Sequence, residues 1–216
     1  MRFPPSSSLT PSGLSRRQAL AAFLVALPSL CLGDSTQIGS IRRATPGQTE
    51  GPFYPVALPH DSDHDLLRNG NLIYQEGQSV WLEGIVSDLA GQPVTNAQVE
   101  IWQCDDAGHY HHPGDGGKAD PRFQGFGQVM VDSSGRFRFH TIRPVAYGAR
   151  APHIHLKVKL GARELLTTQI YVAGDPGNQR DFLWRSLRPV DRDALTVAFT
   201  PGGDGLRAIF PIAVAV

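Results

Sequence analysis

From residue 80 onward, apolar and polar residues alternate in short runs that suit the two-residue period of a strand. Val80 to Ser87 is one such run, closed by the turn cluster Asp88-Leu89-Ala90-Gly91-Gln92-Pro93. Ala97, Val99 and Ile101 then share a face. Val129 and Val131 lead into Asp132-Ser133-Ser134-Gly135, after which Phe137, Phe139 and Thr141 share another. Ile154, Leu156, Val158 and Leu160 alternate again, and Gly161-Ala162 marks a hairpin turn into a run from Leu165 to Val172. A last pair, Leu195 to Phe199 and Leu206 to Val214, flanks Pro201-Gly202-Gly203-Asp204-Gly205. Seven or more short strands of this kind predict an all-β fold, a two-sheet antiparallel β-sandwich with long loops. Residues 35–78 follow neither period and read as irregular. Residues 174–189 read as a long loop with a turn of helix, and no internal repeat or second domain is evident.

Composition agrees with this picture. The 23 glycines and 17 prolines of the 216-residue chain interrupt it too often for long helices. Twenty basic residues balance twenty acidic ones without long blocks of one sign, which argues against nucleic acid or an anionic membrane as partner. The amino terminus departs from the pattern. Residues 1–17 carry Arg2, Arg16 and Arg17 with no acidic residue, and the apolar run Ala19 to Leu32 is too short to span a bilayer. This predicts a signal peptide over residues 1–33, with 34–216 as the β-sandwich domain, exported to the periplasm or beyond and free of the membrane after cleavage. Ser15-Arg16-Arg17-Gln18-Ala19-Leu20 resembles a twin-arginine export signal, although Ala19 stands where that motif usually has an aromatic residue, which leaves the general secretory route open. If Cys31 departs with the signal, Cys104 has no disulfide partner and reads as a small buried hydrophobe.

His153-Ile154-His155 is the most informative local feature. On a strand the two imidazoles share a face, while Ile154, Leu156 and Val158 take the core side. That is half of a metal site, although an isolated His-x-His is more often a pair of surface or hydrogen-bonded histidines. His109, His111 and His112 crowd one loop and His60 and His64 an acidic one, and both groups read as solvated.

Longer segments carry a resemblance. Thr49-Glu50-Gly51-Pro52-Phe53-Tyr54-Pro55 resembles the opening signature of the intradiol ring-cleavage dioxygenases. GIVSDLAGQPVTNAQVEIWQCDDAGHY, residues 84–110, is similar to that family's central strand pair and following loop, and FHTIRPVAYGARAPHIH, residues 139–155, to the rest of its metal site. The likeness covers roughly residues 45–182, and several ordered motifs are more specific than any one alone. The resemblance implies an iron(III) cofactor held by Tyr110, Tyr147, His153 and His155. The donor set suits a hard ferric ion, and two tyrosinates plus a hydroxide balance its charge. Arg150 matches an arginine that stabilises the substrate-derived anion, and Gln169 a glutamine near the oxygen-binding region. Phe53 and Tyr54 are expected to wall the substrate pocket, whereas Trp102 is expected to be core packing.

The implied substrates are a small aromatic diol and O2, with ring opening between the two hydroxylated carbons to a muconate-type diacid. In the family the tyrosine matching Tyr147 leaves the metal when substrate chelates it, and the one matching Tyr110 stays. The sequence has no room for the helical dimerisation region of catechol- and hydroxyquinol-cleaving relatives, so its plan is nearer a protocatechuate-cleaving subunit. A homo-oligomer is compatible with that plan. The short interval from Tyr147 to His153 implies a more open pocket rim. Two other readings compete: a non-catalytic extracellular β-sandwich binding module, and a zinc or copper site at the same histidines. The four donors with Arg150 argue against the first, and the two phenols against the second.

Overall fold

The computed structural model describes residues 42–216, so the expected signal peptide lies outside the described residues. The elements are β1 Arg68–Asn69, β2 Leu72–Ile73, β3 Ser79–Asp88, β4 Ala97–Trp102, β5 Phe126–Met130, β6 Arg136–Ile142, β7 His153–Leu160, β8 Arg163–Val172, α1 Phe182–Ser186, α2 Pro189–Leu195, β9 Thr196–Val197, β10 Phe199–Gly202, β11 Gly205–Ile209 and β12 Ile212–Val214. β1 and β2 form a small ribbon. The others build two five-stranded sheets: β10-β11-β3-β12 with β6 on β3, and β5-β4-β7-β8-β9. Among the described residues no helix is long and apolar enough to cross a membrane.

The sandwich is all-β as expected, with a difference in strand direction. β3–β6, β4–β5, β4–β7 and β7–β8 are antiparallel, but β11 and β12 both run parallel to β3, and β9 runs parallel to β8. The expected strand 206–214 is cut in two, because Pro211 has no N–H for the ladder. At that break the Phe210 N–H bonds to the Glu83 carbonyl at 2.8 Å. Gly84 is a glycine because a Cβ there would overlap the Phe210 carbonyl oxygen and the Phe137 ring. The segment read as a loop holds more helix than one turn. A 3-10 turn at Pro176–Gln179 precedes α1, which Asp181 caps, and Pro189 opens α2 at a position where its missing N–H costs nothing.

The core lies between the sheets. Ala97, Val99, Ile101, Ile154, Leu156 and Val158 from one meet Val80, Leu82, Phe137, Phe139 and Ala208 from the other. Phe139 is fully buried, and removing a side chain of that size from water contributes about 1.5–3 kcal/mol. The second sheet is covered on its outer face too. There Trp102, Cys104, Tyr110 and Phe126 form a separate cluster, ringed by Phe53, Tyr54, Val145 and Tyr147. Cys104 is a buried free thiol, as expected, and burial pushes its pKa up to about 12.

Candidate metal centre

The outer cluster surrounds the histidine pair. Strand alternation sends Ile154 and Leu156 into the core, so His153 and His155 turn outward together under the loops, each 1% exposed. Their Nε2 atoms lie 3.1 Å apart. The Ala151 carbonyl oxygen is 2.6 Å from His153 Nδ1. A proton there donates to that carbonyl and leaves the Nε2 lone pair free for an ion. His155 is held by packing instead. Trp102 stacks on it at 4.8 Å and 9°, and a Cβ on Gly51 would come within 3.2 Å of its Cε1. Burial pushes His153 down to about 4, helped by the Arg150 charge, and holds His155 well below the usual range. Both rings are neutral at pH 7, the state that ligates metals.

Two loops bring phenols to the pair. Asp105 accepts the Ala107 and His109 N–H groups, and Asp115 accepts the Tyr110 N–H, which fixes the loop that delivers Tyr110. The other loop turns at Gly148, where φ is +53°, and the Arg150 N–H bonds back to the Tyr147 carbonyl at 3.0 Å. The ring centroids are 5.1 Å apart for Tyr110 and Tyr147, 5.5 Å for Tyr147 and His153, and 6.1 Å for Tyr110 and His155. Tyr110 is buried and Tyr147 half-buried. Burial raises the pKa of both, and the Arg150 guanidinium works against that rise at each.

This arrangement fits a resident cation. The Tyr110 hydroxyl is buried without a hydrogen-bond partner, a costly state that an ion would relieve. Among the described residues no group of three or more His, Cys, Asp or Glu could hold a metal, and the phenols of Tyr110 and Tyr147 are side-chain donors beside the histidine pair. Two phenols with two imidazoles suit ferric iron better than zinc.

Arg150 is 9% exposed at its side chain. Its Nε donates to Asp181 at 2.8 Å, and its Nη2 to Gln169 Oε1 at 2.6 Å and to the Tyr171 hydroxyl at 3.3 Å. Gln169 continues to the Thr49 carbonyl at 2.9 Å, and so joins Arg150 to the segment that carries Phe53. That segment, residues 46–55, lies across the outer sheet as a strap. It is also tied by Thr168 to the Pro46 carbonyl, Tyr171 to Gln48, and Lys157 to Glu50. Phe53 stacks on Tyr110 at 4.8 Å and meets Tyr147 edge-on at 5.7 Å. Tyr54 sits one layer out. Its hydroxyl donates to Glu100 at 2.8 Å, and its ring meets Trp102 at 4.9 Å rather than any of the four donors.

Several sequence expectations shift. Trp102 is buried, but as the stacking partner of His155. His109, His111 and His112 serve their loop: His109 meets Asp115, His111 the Phe123 carbonyl, and His112 caps a short 3-10 turn. Two residues at the site lie outside the sequence expectations, Tyr171 and Asp181, although an aspartate before the apolar run Phe182-Leu183-Trp184 is a helix-start signal. A groove of about 720 Å³ along Met130, Phe137 and Arg138 includes none of these residues. A smaller cavity of about 180 Å³ is lined by Phe53, Trp102, Tyr110 and Phe126.

The family model described as Dioxygenase matches residues 49–200, a span that holds both imidazoles and both phenols. The chain belongs to the intradiol ring-cleavage dioxygenase family. It is 37% identical over 155 residues to a protocatechuate 3,4-dioxygenase beta chain from Burkholderia cepacia, covering 66% of this chain and 64% of that one. It is 31% identical over 173 residues to a catechol 1,2-dioxygenase from Acinetobacter baylyi, covering 72% and 55%. The chain thus spans less than two thirds of the length of either relative. The solved dioxygenase domain of a carbohydrate-binding fusion protein from Streptomyces sp. SirexAA-E matches with a TM-score of 0.64 at 29% identity, over 81% of this chain and 99% of that one.

Proposed function

We propose that this chain binds iron(III) through Tyr110, Tyr147, His153 and His155, and with O2 cleaves a catechol-type diol between its hydroxylated carbons. The carrying observation is the convergence of four donors, with the Nε2 atoms 3.1 Å apart and the Tyr110 hydroxyl buried and unpaired. Ferric ion would supply Lewis acidity toward the diol oxygens and make the ring reactive toward O2. The protein's own residues do the rest. His153 and His155 stay neutral because burial disfavours their protonated forms. Tyr110, buried and stacked by Phe53, is the fixed phenolate. Tyr147, half-buried beside Gly148, is free to swing away, and its Oη takes up a proton from the incoming diol. Arg150 stabilises negative charge on the substrate-derived anion, and Gln169 holds Arg150 in line. Phe53 supplies an aromatic wall, and Tyr54 braces Trp102 behind it.

The substrate class is the simple catechols. The relatives' names (protocatechuate, catechol and hydroxyquinol dioxygenases) bracket it without choosing a member. Residues 1–33 act as the export signal, by the twin-arginine route, and residues 34–216 as the catalytic unit. Incubating purified chain with catechol or protocatechuate under 18O2 tests the reading. The expected product is a muconate-type diacid carrying both labelled atoms, from a reddish protein with one iron per chain. A semialdehyde, or a colourless protein loaded with zinc, would refute it.

A further inference from the structure

We infer that Asp181 is the positioning residue of this centre: its carboxylate aims the Arg150 guanidinium and anchors the peptide that orients His153. The inference rests on the iron site proposed above, and its starting point is how the four hydrogen bonds to one carboxylate are divided. Asp181 Oδ1 accepts the Leu183 and Trp184 N–H groups at 2.9 and 3.0 Å, which is an ordinary helix cap. Oδ2 is occupied differently. It accepts Arg150 Nε at 2.8 Å and the Ala151 N–H at 2.8 Å. Ala151 in turn offers its carbonyl to His153 Nδ1 at 2.6 Å. One oxygen therefore fixes both the guanidinium and the residue that sets which nitrogen of His153 is left free.

Capping does not explain this second half. Serine or asparagine would cap α1 as well, and would spare the protein a carboxylate whose side chain is 0% exposed. Burial works to raise the Asp181 pKa, but the Trp184 and Ala151 N–H groups and the Arg150 guanidinium hold it below the ordinary carboxylate range. The charge is kept where it faces Arg150. With Gln169 and Tyr171 holding Nη2, the guanidinium is pinned on two sides. A pinned guanidinium loses little freedom when an anion forms beside it.

The test uses two replacements that still cap α1, Asp181→Asn and Asp181→Ser, with Arg150→Gln and the double variant Asp181→Asn/Arg150→Gln. In iron-loaded protein the expected loss in kcat/KM for Asp181→Asn is about 10- to 100-fold, the usual scale for a residue that orients a ligand or catalytic group. Most of it should fall in kcat. In the Arg150→Gln background the same change should cost several-fold less, because one of its two targets is gone and only the Ala151 anchor is left to lose. A second readout needs neither iron nor turnover. In metal-free chain, the Arg150 Nε–H proton resonance, assigned by its absence from Arg150→Gln, should be slow to exchange in wild type and fast in Asp181→Asn. Asp181→Asn activity within twofold of wild type, multiplicative losses in the double variant, or an unchanged Nε–H signal would overturn the inference. So would failure of both capping variants to fold, which would make Asp181 a stability residue. An inactive, iron-free wild type whose Nε–H signal still depends on Asp181 would instead count against the dioxygenase reading alone.

Discussion

Replacing Gly51 by alanine separates a backbone effect from an effect on the metal centre. Gly51 has φ of +76°, and Gly70, in the turn between β1 and β2, has φ of +59°. A side chain in this left-handed region costs roughly 1–2 kcal/mol at either position. For a domain of this size that corresponds to a fall of about 2–8 °C in Tm. The surroundings differ. A Cβ on Gly70 meets nothing within 4 Å, whereas one on Gly51 stands 3.2 Å from His155 Cε1. That is a few tenths of an ångström too close, and the Trp102 indole stacked on the imidazole limits its retreat. Gly70→Ala should therefore lower Tm and leave iron affinity as in wild type. Gly51→Ala should lower Tm by at least as much and weaken iron binding roughly tenfold or more, the scale for a disturbed ligand orientation. Thermal unfolding of metal-free protein and chelator competition with the iron form give the two numbers. Equal iron affinities for the two variants would mean that the strap does not hold His155 in place.

Tyr147→Phe is expected to keep its iron and turn over slowly, while Tyr110→Phe loses the iron or its visible charge-transfer band; equal losses of metal and activity in the two variants would show that their roles are the same. Cys104, buried and with its thiol pKa pushed up to about 12, should resist iodoacetamide at pH 8 in folded protein and react in urea; peptide mapping that finds it modified in the native state would contradict that burial. Arg16→Lys with Arg17→Lys should keep the protein in the cytoplasm, and normal delivery of the double variant would remove the twin-arginine assignment.

Alternation made the strands and the histidine pair legible in the sequence, because a period of two fixes which residues share a face. It carries no information about direction, so the parallel pairing of β11 and β12 with β3 was not readable. The break at Pro211 falls inside the run that alternation reads as one strand. Loops have no period at all. Tyr110 and Tyr147 came only from the family resemblance, since what brings them together is the hydrogen bonding of Asp105 and Asp115 and the turn at Gly148. Trp102 was read correctly as buried, but burial says nothing about which ring lies against it. Asp181 carries only a helix-start signal, because α1 has five residues, too few for a helical repeat to emerge.

The strap over the outer sheet has a consequence for the order of events at the ribosome. Its anchors lie far downstream: Lys157 is 107 positions from Glu50, Gln169 is 120 from Thr49, Thr168 is 122 from Pro46, and Tyr171 is 123 from Gln48. At ordinary rates of synthesis the strap waits about 6–24 s for β8 to be made. Closing a loop of that length costs only slightly more entropy than closing one half as long, so the delay adds time rather than instability. A nascent chain that has not reached Thr168 has both histidines in place but lacks the three β8 anchors of the strap, Thr168, Gln169 and Tyr171, and with Gln169 the link from Arg150 to the strap.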